Sequence, residues 1–103
     1  MDKEREAEIT HCKQIIDGLL YDTRKASEIV RGIFVTDNGR YFETDVNIGF
    51  RNSFKNKEID DYERVFYAIY SNIRPLTKED AKVKIGLINA DKYIEIFGEV
   101  EEA

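Results

Sequence analysis

The stretch that decides the fold is Ile33-Phe34-Val35-Thr36-Asp37-Asn38-Gly39-Arg40-Tyr41-Phe42-Glu43-Thr44-Asp45-Val46. Both of its halves are rich in β-branched and aromatic residues, which fit a pleated, half-buried surface. Asp37-Asn38-Gly39 between them is typical of a turn, because glycine accepts the positive φ that tight hairpin turns require. The sequence therefore predicts a β-hairpin, with residues 33–36 as one strand and 40–46 as the other.

A smaller hairpin is predicted upstream of this one. Two short apolar runs, Cys12 to Ile16 and Leu19 to Tyr21, are separated only by Asp17-Gly18. That dipeptide is typical of a type I′ turn between two strands. A hairpin of this size is marginal on its own, so we expect it to pack against other elements.

Between the two hairpins the pattern favours a helix. Asp22 or Thr23 can act as its N-cap, with a side-chain oxygen that accepts a free backbone N–H. The apolar residues that follow recur at a helical spacing: Ala26, Ile29, Val30 and Ile33. We expect this helix to end near Gly32 and the hairpin 33–46 to pack against it.

The middle of the chain carries two competing patterns. Residues 46–54 alternate as in a continued strand and lead into a polar loop at 55–57. In the run 62–74 the apolar spacing fits a helix, whereas its density of Val, Phe, Tyr and Ile favours a strand. Pro75 pushes Arg74 towards an extended conformation. We expect a strand over about residues 64–74.

Two short helices are predicted near the C-terminus. Thr77, with Asp80 three residues later, is close to a capping box. Asn89 can cap a second helix, and Gly98 suits its C-terminal end. Glu99 to Ala103 should form a mobile acidic tail. Hairpins followed by helices predict an α+β fold, with a small antiparallel sheet packed against two or three short helices.

Composition bounds the class of protein. The 103 residues are 42 % hydrophobic and suit a single domain with one core, and 16 basic against 21 acidic residues give a net charge of −5. One cysteine excludes an internal disulfide, and no apolar run approaches the ~18 residues of a membrane span. We expect a single domain over 1–103 in the cytoplasm of a host cell, with a frayed helical lead-in over 1–8 and a tail over 99–103.

Four stretches of the chain match a familiar pattern in order. Residues 15–26 contain Gly18 to Ala26, which resembles G-x-x-Y-D-T-x-x-A, and Thr36 to Phe42 resembles T-x-x-G-x-[YF]-F. Pro75 to Lys82 resembles P-L-T-x-E-x-A-K, and Asp91 to Gly98 resembles D-x-Y-x-x-x-F-G.

Together these stretches resemble small, mostly uncharacterised accessory proteins of bacterial phages, plasmids and other mobile elements. The resemblance implies the context of anti-CRISPR and other anti-defence inhibitors, and it carries over no catalytic residues. Residues 47–73 depart from the pattern, because they are longer and more aromatic than that group leads us to expect.

An acidic cluster is the first candidate partner-binding site. It comprises Glu58, Asp60, Asp61 and Glu63. Carboxylates can stand in for phosphates towards Arg and Lys, which recognise both anions with similar geometry. The alternative is an ordinary solvated loop.

Two other sets of residues are candidates for contact with a partner. The possible interface aromatics are Phe66, Tyr67 and Tyr70. Tyrosine is enriched among interface anchors, although both faces of this strand can equally belong to a core. The alternative nucleic-acid contacts are Arg40, Arg51, Lys55 and Lys57. So few cations in an acidic chain predict weak affinity, since affinity follows the number of phosphates neutralised.

The sequence offers little for catalysis. His11 and Cys12 are adjacent, so their side chains point in different directions, and a zinc site needs three or four protein ligands. No G-x-G-x-x-G, phosphate-loop, G-x-S-x-G or H-E-x-x-H motif is present. We expect no catalytic residue, no metal and no cofactor.

These observations favour a non-enzymatic, protein-binding inhibitor from a phage or mobile element. We expect it to block a host defence or nucleic-acid-handling complex in an anti-CRISPR-like way, with an acidic surface that mimics nucleic acid. The expected partner is a host protein or nucleoprotein complex with a basic surface. We expect no association with a membrane, and a homodimer is a further alternative. The alternative is a small nucleic-acid-binding regulator that uses the basic loop 51–57.

Overall fold

A computed structural model describes the backbone of residues 7–56 and 61–103, and the side chains of 7–53 and 62–103. The strands are β1 (Glu8–Thr10), β2 (Lys13–Ile16), β3 (Leu19–Asp22), β4 (Ser27–Val30), β5 (Ile33–Val35), β6 (Tyr41–Asn56) and β7 (Asp61–Leu76). The helices are α1 (Lys78–Ile88) and α2 (Ala90–Phe97). The expected α+β class is confirmed.

Five of the strands form one sheet in the order β1-β7-β6-β5-β4, and β2 and β3 form a separate two-stranded sheet. The five-stranded sheet is mixed rather than wholly antiparallel, because β1 lies parallel to β7. Glu8 was expected in a frayed helical lead-in and instead begins β1. The rest of that lead-in, residues 1–6, lies outside the described residues.

Both predicted hairpins are confirmed. Asp17 and Gly18 have φ values of 51° and 76°, as a type I′ turn requires. In the second hairpin the Gly39 N–H donates to the Thr36 carbonyl at 2.9 Å. Phe34 lies opposite Phe42 in the β5–β6 pair, with the two rings stacked at 5.0 Å.

The helix expected between the hairpins is wrong. Residues 23–26 form a turn and a bend, in which the Asp22 carboxylate accepts the Arg24 N–H at 2.8 Å, and Ser27–Val30 is the edge strand β4. The two-residue turn at 31–32 places Val30 opposite Ile33. Pairing with β5 satisfies the backbone N–H and C=O groups of this segment better than an isolated short helix would. The strand partner therefore outweighs the helical preference that the apolar spacing indicates.

The run with competing patterns is a strand, as expected. β7 pairs antiparallel with β6 from Leu76 opposite Tyr41 to Asp61 opposite Asn56. A register shift near Glu43 and Asp45 interrupts the ladder, and Asn72 has a φ of 56° close to it. Irregularities of this kind increase the local twist of a strand pair.

Two buried clusters lie on opposite faces of the five-stranded sheet, because successive strand residues point to opposite sides. The first cluster contains Tyr21, Phe34, Phe42, Tyr70 and Ile73, and the β2–β3 hairpin covers it. The second contains Val30, Ile33, Ala81 and Ile85, and α1 covers it together with Tyr93 and Phe97 of α2.

The predicted caps of the helices are confirmed. The Thr77 hydroxyl accepts the Asp80 N–H at 3.1 Å, and the Asn89 side chain accepts the Lys92 N–H at 3.0 Å. Gly98 ends α2 with a φ of 98°. These local hydrogen bonds satisfy backbone groups that the helices leave free.

An ionic contact also joins α1 to the sheet. Lys84 of α1 donates to Glu43 of β6 at 2.7 Å, and Arg74 of β7 donates to the same carboxylate at 3.1 Å. The hydrogen bond from Lys84, aided by Arg74, holds the pKa of Glu43 below its ordinary value.

Gly32 and Gly39 make a matched pair for testing the packing of the β4–β5 turn. Both have φ near 80°, but a Cβ at Gly32 would lie 3.1 Å from Val46 and 3.2 Å from the Thr44 carbonyl, whereas one at Gly39 meets nothing within 4 Å. We expect Gly32→Ala to lower the free energy of unfolding by about 2 to 4 kcal/mol, and Gly39→Ala by about 1 to 2 kcal/mol. Urea unfolding followed by circular dichroism measures both, and equal losses would contradict the close packing at Gly32.

Candidate binding surface on the β6–β7 arm

The β6–β7 pair is longer than the rest of the fold. Each strand has 16 residues, which span roughly 50 Å. The molecule measures 58 × 39 × 18 Å with a radius of gyration of 17.7 Å, against roughly 13 Å for a compact chain of this length. The pair therefore extends beyond the covered part of the sheet.

The buried clusters reach only one half of this pair. Their members and partly buried neighbours from β6 and β7 are Tyr41, Phe42, Val46, Tyr70, Ile73 and Leu76. We call the remaining part the arm, namely residues 47–56 of β6 and 61–69 of β7. Among the described strands, the three-residue β1 alone pairs with the arm from the side, opposite residues 67–69.

One side of the arm carries apolar and aromatic residues that face solvent. Residues directly opposite each other on neighbouring strands share a face. We call this side the aromatic face, and its described members are Ile9, Ile48, Phe50, Asn52, Tyr62, Arg64, Phe66 and Ala68, of which Ala68 is buried. Phe50 is 59 % exposed, Ile48 48 % and Ile9 41 %. A group of exposed apolar residues is typical of an interaction surface rather than of a core.

A row of two cations and two rings runs across the aromatic face. Phe50 and Phe66 lie opposite each other, with ring centroids 5.6 Å apart at 65°. The guanidinium carbon of Arg64 lies 4.4 Å from the Phe50 centroid. At the other end Arg31, from the β4–β5 turn, lies 5.7 Å from the Phe66 centroid. We call these four residues the Arg–Phe row.

Both guanidiniums of the row are free of carboxylate partners within the part of the chain that the structure describes. Glu28 precedes Arg31 on the same hairpin, but it accepts hydrogen bonds from the Tyr70 hydroxyl and the Gly32 N–H. Among the described residues, the row therefore offers two guanidiniums without a carboxylate partner beside the exposed Phe50 and the half-buried Phe66.

The opposite side of the arm is arranged differently. Arg51 forms an ion pair with Glu8 across the sheet, and Val65, opposite Arg51, is fully buried. The Tyr67 ring lies over Gly49, where a Cβ would come within 2.7 Å of its hydroxyl oxygen. This side is therefore occupied by contacts within the chain.

Tyr70, one of the predicted interface aromatics, lies in the core at the base of the arm. It is buried, and its hydroxyl donates to Glu28 with distances of 2.8 and 3.0 Å to the two carboxylate oxygens. The His11 ring stacks on it at 6.1 Å. Phe66 and Tyr67 are half-buried on the arm, and Phe50, which the sequence analysis did not select, is the more exposed aromatic.

The structure separates the predicted charged residues. Arg40 precedes β6 while Arg51 lies well along it, a distance of roughly 35 Å at the rise of a strand. Glu63 lies on the arm opposite Ser53. Glu58, Asp60 and the side chain of Asp61 fall outside the described residues, as do the side chains of Lys55 and Lys57. Of the two charged sets, the structure therefore describes only the side chains of Glu63, Arg40 and Arg51.

His11 and Cys12 take part in a closed hydrogen-bond group around Thr23. The buried Thr23 hydroxyl accepts the Cys12 N–H at 3.0 Å, and its oxygen also lies 3.2 Å from the Cys12 carbonyl oxygen and 2.9 Å from His11 Nδ1. Burial, and then the charge of Asp22, raise the pKa of the Cys12 thiol, which keeps it protonated and poorly nucleophilic. This arrangement ties the start of β2 to the turn after β3.

Three further observations complete the description. Among residues 7–53 and 62–103, no three His, Cys, Asp or Glu side chains come close enough to hold a metal ion. No described helix is long and apolar enough to cross a membrane. Comparison of the chain with protein-family models, curated proteins and solved structures finds no significant match.

The Tyr70 contact gives a testable titration. Burial, followed by the hydrogen bond to Glu28, raises the pKa of Tyr70 from 10.0 to about 12. Because the pKa of Tyr70 is higher in the folded state, the protonated hydroxyl stabilises the fold. This stabilisation is complete below pH 10 and is lost as the pH rises through about 12. We expect an ultraviolet titration of tyrosinate to show a late step that disappears in Tyr70→Phe and persists in Tyr93→Phe. A titration left unchanged by Tyr70→Phe would contradict the contact.

Proposed function

We propose that the protein is a non-enzymatic binding protein that uses the arm to engage a macromolecular partner. Following the resemblance to accessory proteins of mobile elements, we propose that it inhibits a host defence or nucleic-acid-handling complex. The observation that carries this proposal is the arm itself, which extends past both cores and leaves Phe50 and Ile48 exposed.

The energetics of the arm support a binding role. Exposed apolar side chains on a strand pair add little to the stability of a monomer, whereas a partner that covers them gains about 25 cal/mol per Å² of apolar area. Aromatic residues and arginine are also the residue types enriched at binding hot spots. Phe50, Phe66 and Arg64 bring these types together on one face.

The acidic set supplies the proposed specificity towards a basic partner. Glu58, Asp60, Asp61 and Glu63 fall within six consecutive residues at the connection between β6 and β7. Carboxylates that follow one another this closely along the chain can stand in for phosphates and meet the Arg and Lys side chains of a groove that binds nucleic acid. Inhibition would then follow from occupation of that groove.

Capture from a lysate of a bacterial host, with and without nuclease, tests the proposal. We expect a protein partner that is retained after nuclease treatment. Reversal of Glu58, Asp60, Asp61 and Glu63 to lysine should weaken capture and slow association, and the wild-type association rate should fall as salt rises. The variants should still fold, since exposed charges contribute only about 0 to 1 kcal/mol per pair.

Lys55→Glu with Lys57→Glu is the matched control, because these residues lie beside the acidic set but carry the opposite charge. We expect capture to be unchanged or tighter in this variant. If reversal of the lysines abolishes capture while reversal of the acidic set leaves capture unchanged, acidic mimicry is wrong. If all partners are lost after nuclease, the protein acts on nucleic acid instead of on a basic protein surface.

A further inference from the structure

We propose that the Arg–Phe row is a binding site for single-stranded nucleic acid. This inference goes beyond the proposed function, because the row shares no residue with the acidic set and has the opposite charge. It also uses none of the basic residues that the sequence suggested for nucleic-acid contact.

The two rings provide the stacking surface. Phe50 and Phe66 are held opposite each other on neighbouring antiparallel strands, so the ladder fixes their spacing at 5.6 Å between centroids. Phe50 remains 59 % exposed. Every base has a flat π-face, and stacking on an exposed aromatic side chain binds single strands without a need for a particular sequence.

The two arginines provide the charge. Arg31 and Arg64 lie at opposite ends of the row, each beside a ring and neither paired with a described carboxylate. A guanidinium matches a phosphate with two parallel hydrogen bonds and can also stack on a base. With a cation at each end and two rings between them, the row can contact the bases of a single strand with its rings and the flanking phosphates with its guanidiniums.

The same geometry disfavours a duplex as the occupant of the row, and a protein that covers the row must also supply acceptors for its two guanidiniums. In a duplex the base faces are already stacked and hidden, so the rings would have no partner. An apolar protein surface would cover the rings but desolvate two cations without neutralising them, which is costly. A single strand satisfies both groups at once.

Fluorescence anisotropy with labelled oligothymidine and oligouridine tests the proposal on the purified protein. We expect saturable binding that unlabelled single strand competes away and a duplex of equal length does not. With two phosphates neutralised, the logarithm of the association constant should fall with the logarithm of salt concentration with a slope of about −1.4. Absence of saturable binding at low salt would overturn the proposal.

Substitutions at Phe50 separate stacking from general apolar contact. Phe50→Leu keeps an apolar side chain but removes the ring, and should weaken oligonucleotide binding between about fivefold and a hundredfold. Phe50→Tyr keeps a ring and should bind within about twofold of the wild type. Equal affinities for wild type and Phe50→Leu would overturn the stacking role.

Substitutions of arginine test the charge. Arg64→Gln should make the salt slope shallower by about 0.7. Arg24→Gln, in the turn after β3 and away from the arm, is the matched control and should change neither affinity nor slope. Circular dichroism and the melting temperature of each variant check the fold. If Arg24→Gln weakens binding as much as Arg64→Gln, the binding is diffuse attraction and the site is wrong.

The outcomes distinguish this inference from the proposed function. If the wild type binds no oligonucleotide and Phe50→Leu loses protein capture, the aromatic face binds a protein partner and the nucleic-acid site is wrong. Oligonucleotide binding that needs Phe50 and Arg64, with no protein captured from the lysate, would support the site and overturn the proposed inhibitor.

Discussion

The pairing of β6 with β7 is the constraint on which the rest of the structure depends. At the Tyr41 and Leu76 end, both faces of this pair are covered, one by the β2–β3 hairpin and the other by the helices. Beyond Val46 and Tyr70 the ladder contributes no described residue to either buried cluster, although Val65 and Ala68 are buried there. Since side chains alternate between faces, a shift of one residue would exchange core and solvent positions along the whole pair. Beyond the register shift near Glu43 and Asp45, the register that places Val46 opposite the buried Tyr70 also aligns Phe50 with Phe66 far from the core.

The elements that could be predicted from the sequence are those whose cause is local. Asp37-Asn38-Gly39 and Asp17-Gly18 specify their turns by backbone conformation, and Thr77 and Asn89 cap helices within three residues of themselves. The segment Ser27–Val30 was predicted wrongly because its state depends on β5, a partner that local spacing cannot reveal. The parallel pairing of β1 with β7 depends on contacts between residues such as Ile9 and Ala68, which are distant in sequence. Nothing within Glu8–Thr10 indicates that partner.

The residues of the candidate site divide in the same way, into those that the local sequence could predict and those that depend on distant partners. The aromatic density of residues 62–74 indicated a strand with a surplus of apolar side chains, but it could not say which half would be covered. Tyr70 falls on the covered half and became a core residue bonded to Glu28, while Phe50 on the other strand is exposed. The strict alternation of Val46, Ile48 and Phe50 was the signal that could have identified Phe50. Arg31 could not be found this way, because the β4–β5 turn brings it to Phe66 only in the folded chain.

The division of the β6–β7 pair into a covered half and an arm has a consequence for how such a protein can change over time. Exposed positions such as Ile48 and Phe50 contribute little to the free energy of unfolding, and surface substitutions usually alter it by no more than about 0.5 kcal/mol. Replacements on the aromatic face can therefore accumulate without loss of the fold, whereas replacements at Phe42 or Ile85 cannot, because both are fully buried. Selection for a new partner would act on one end of the molecule while selection for folding acts on the other. The chain can thus diverge in what it recognises while it conserves the body that holds the arm in place.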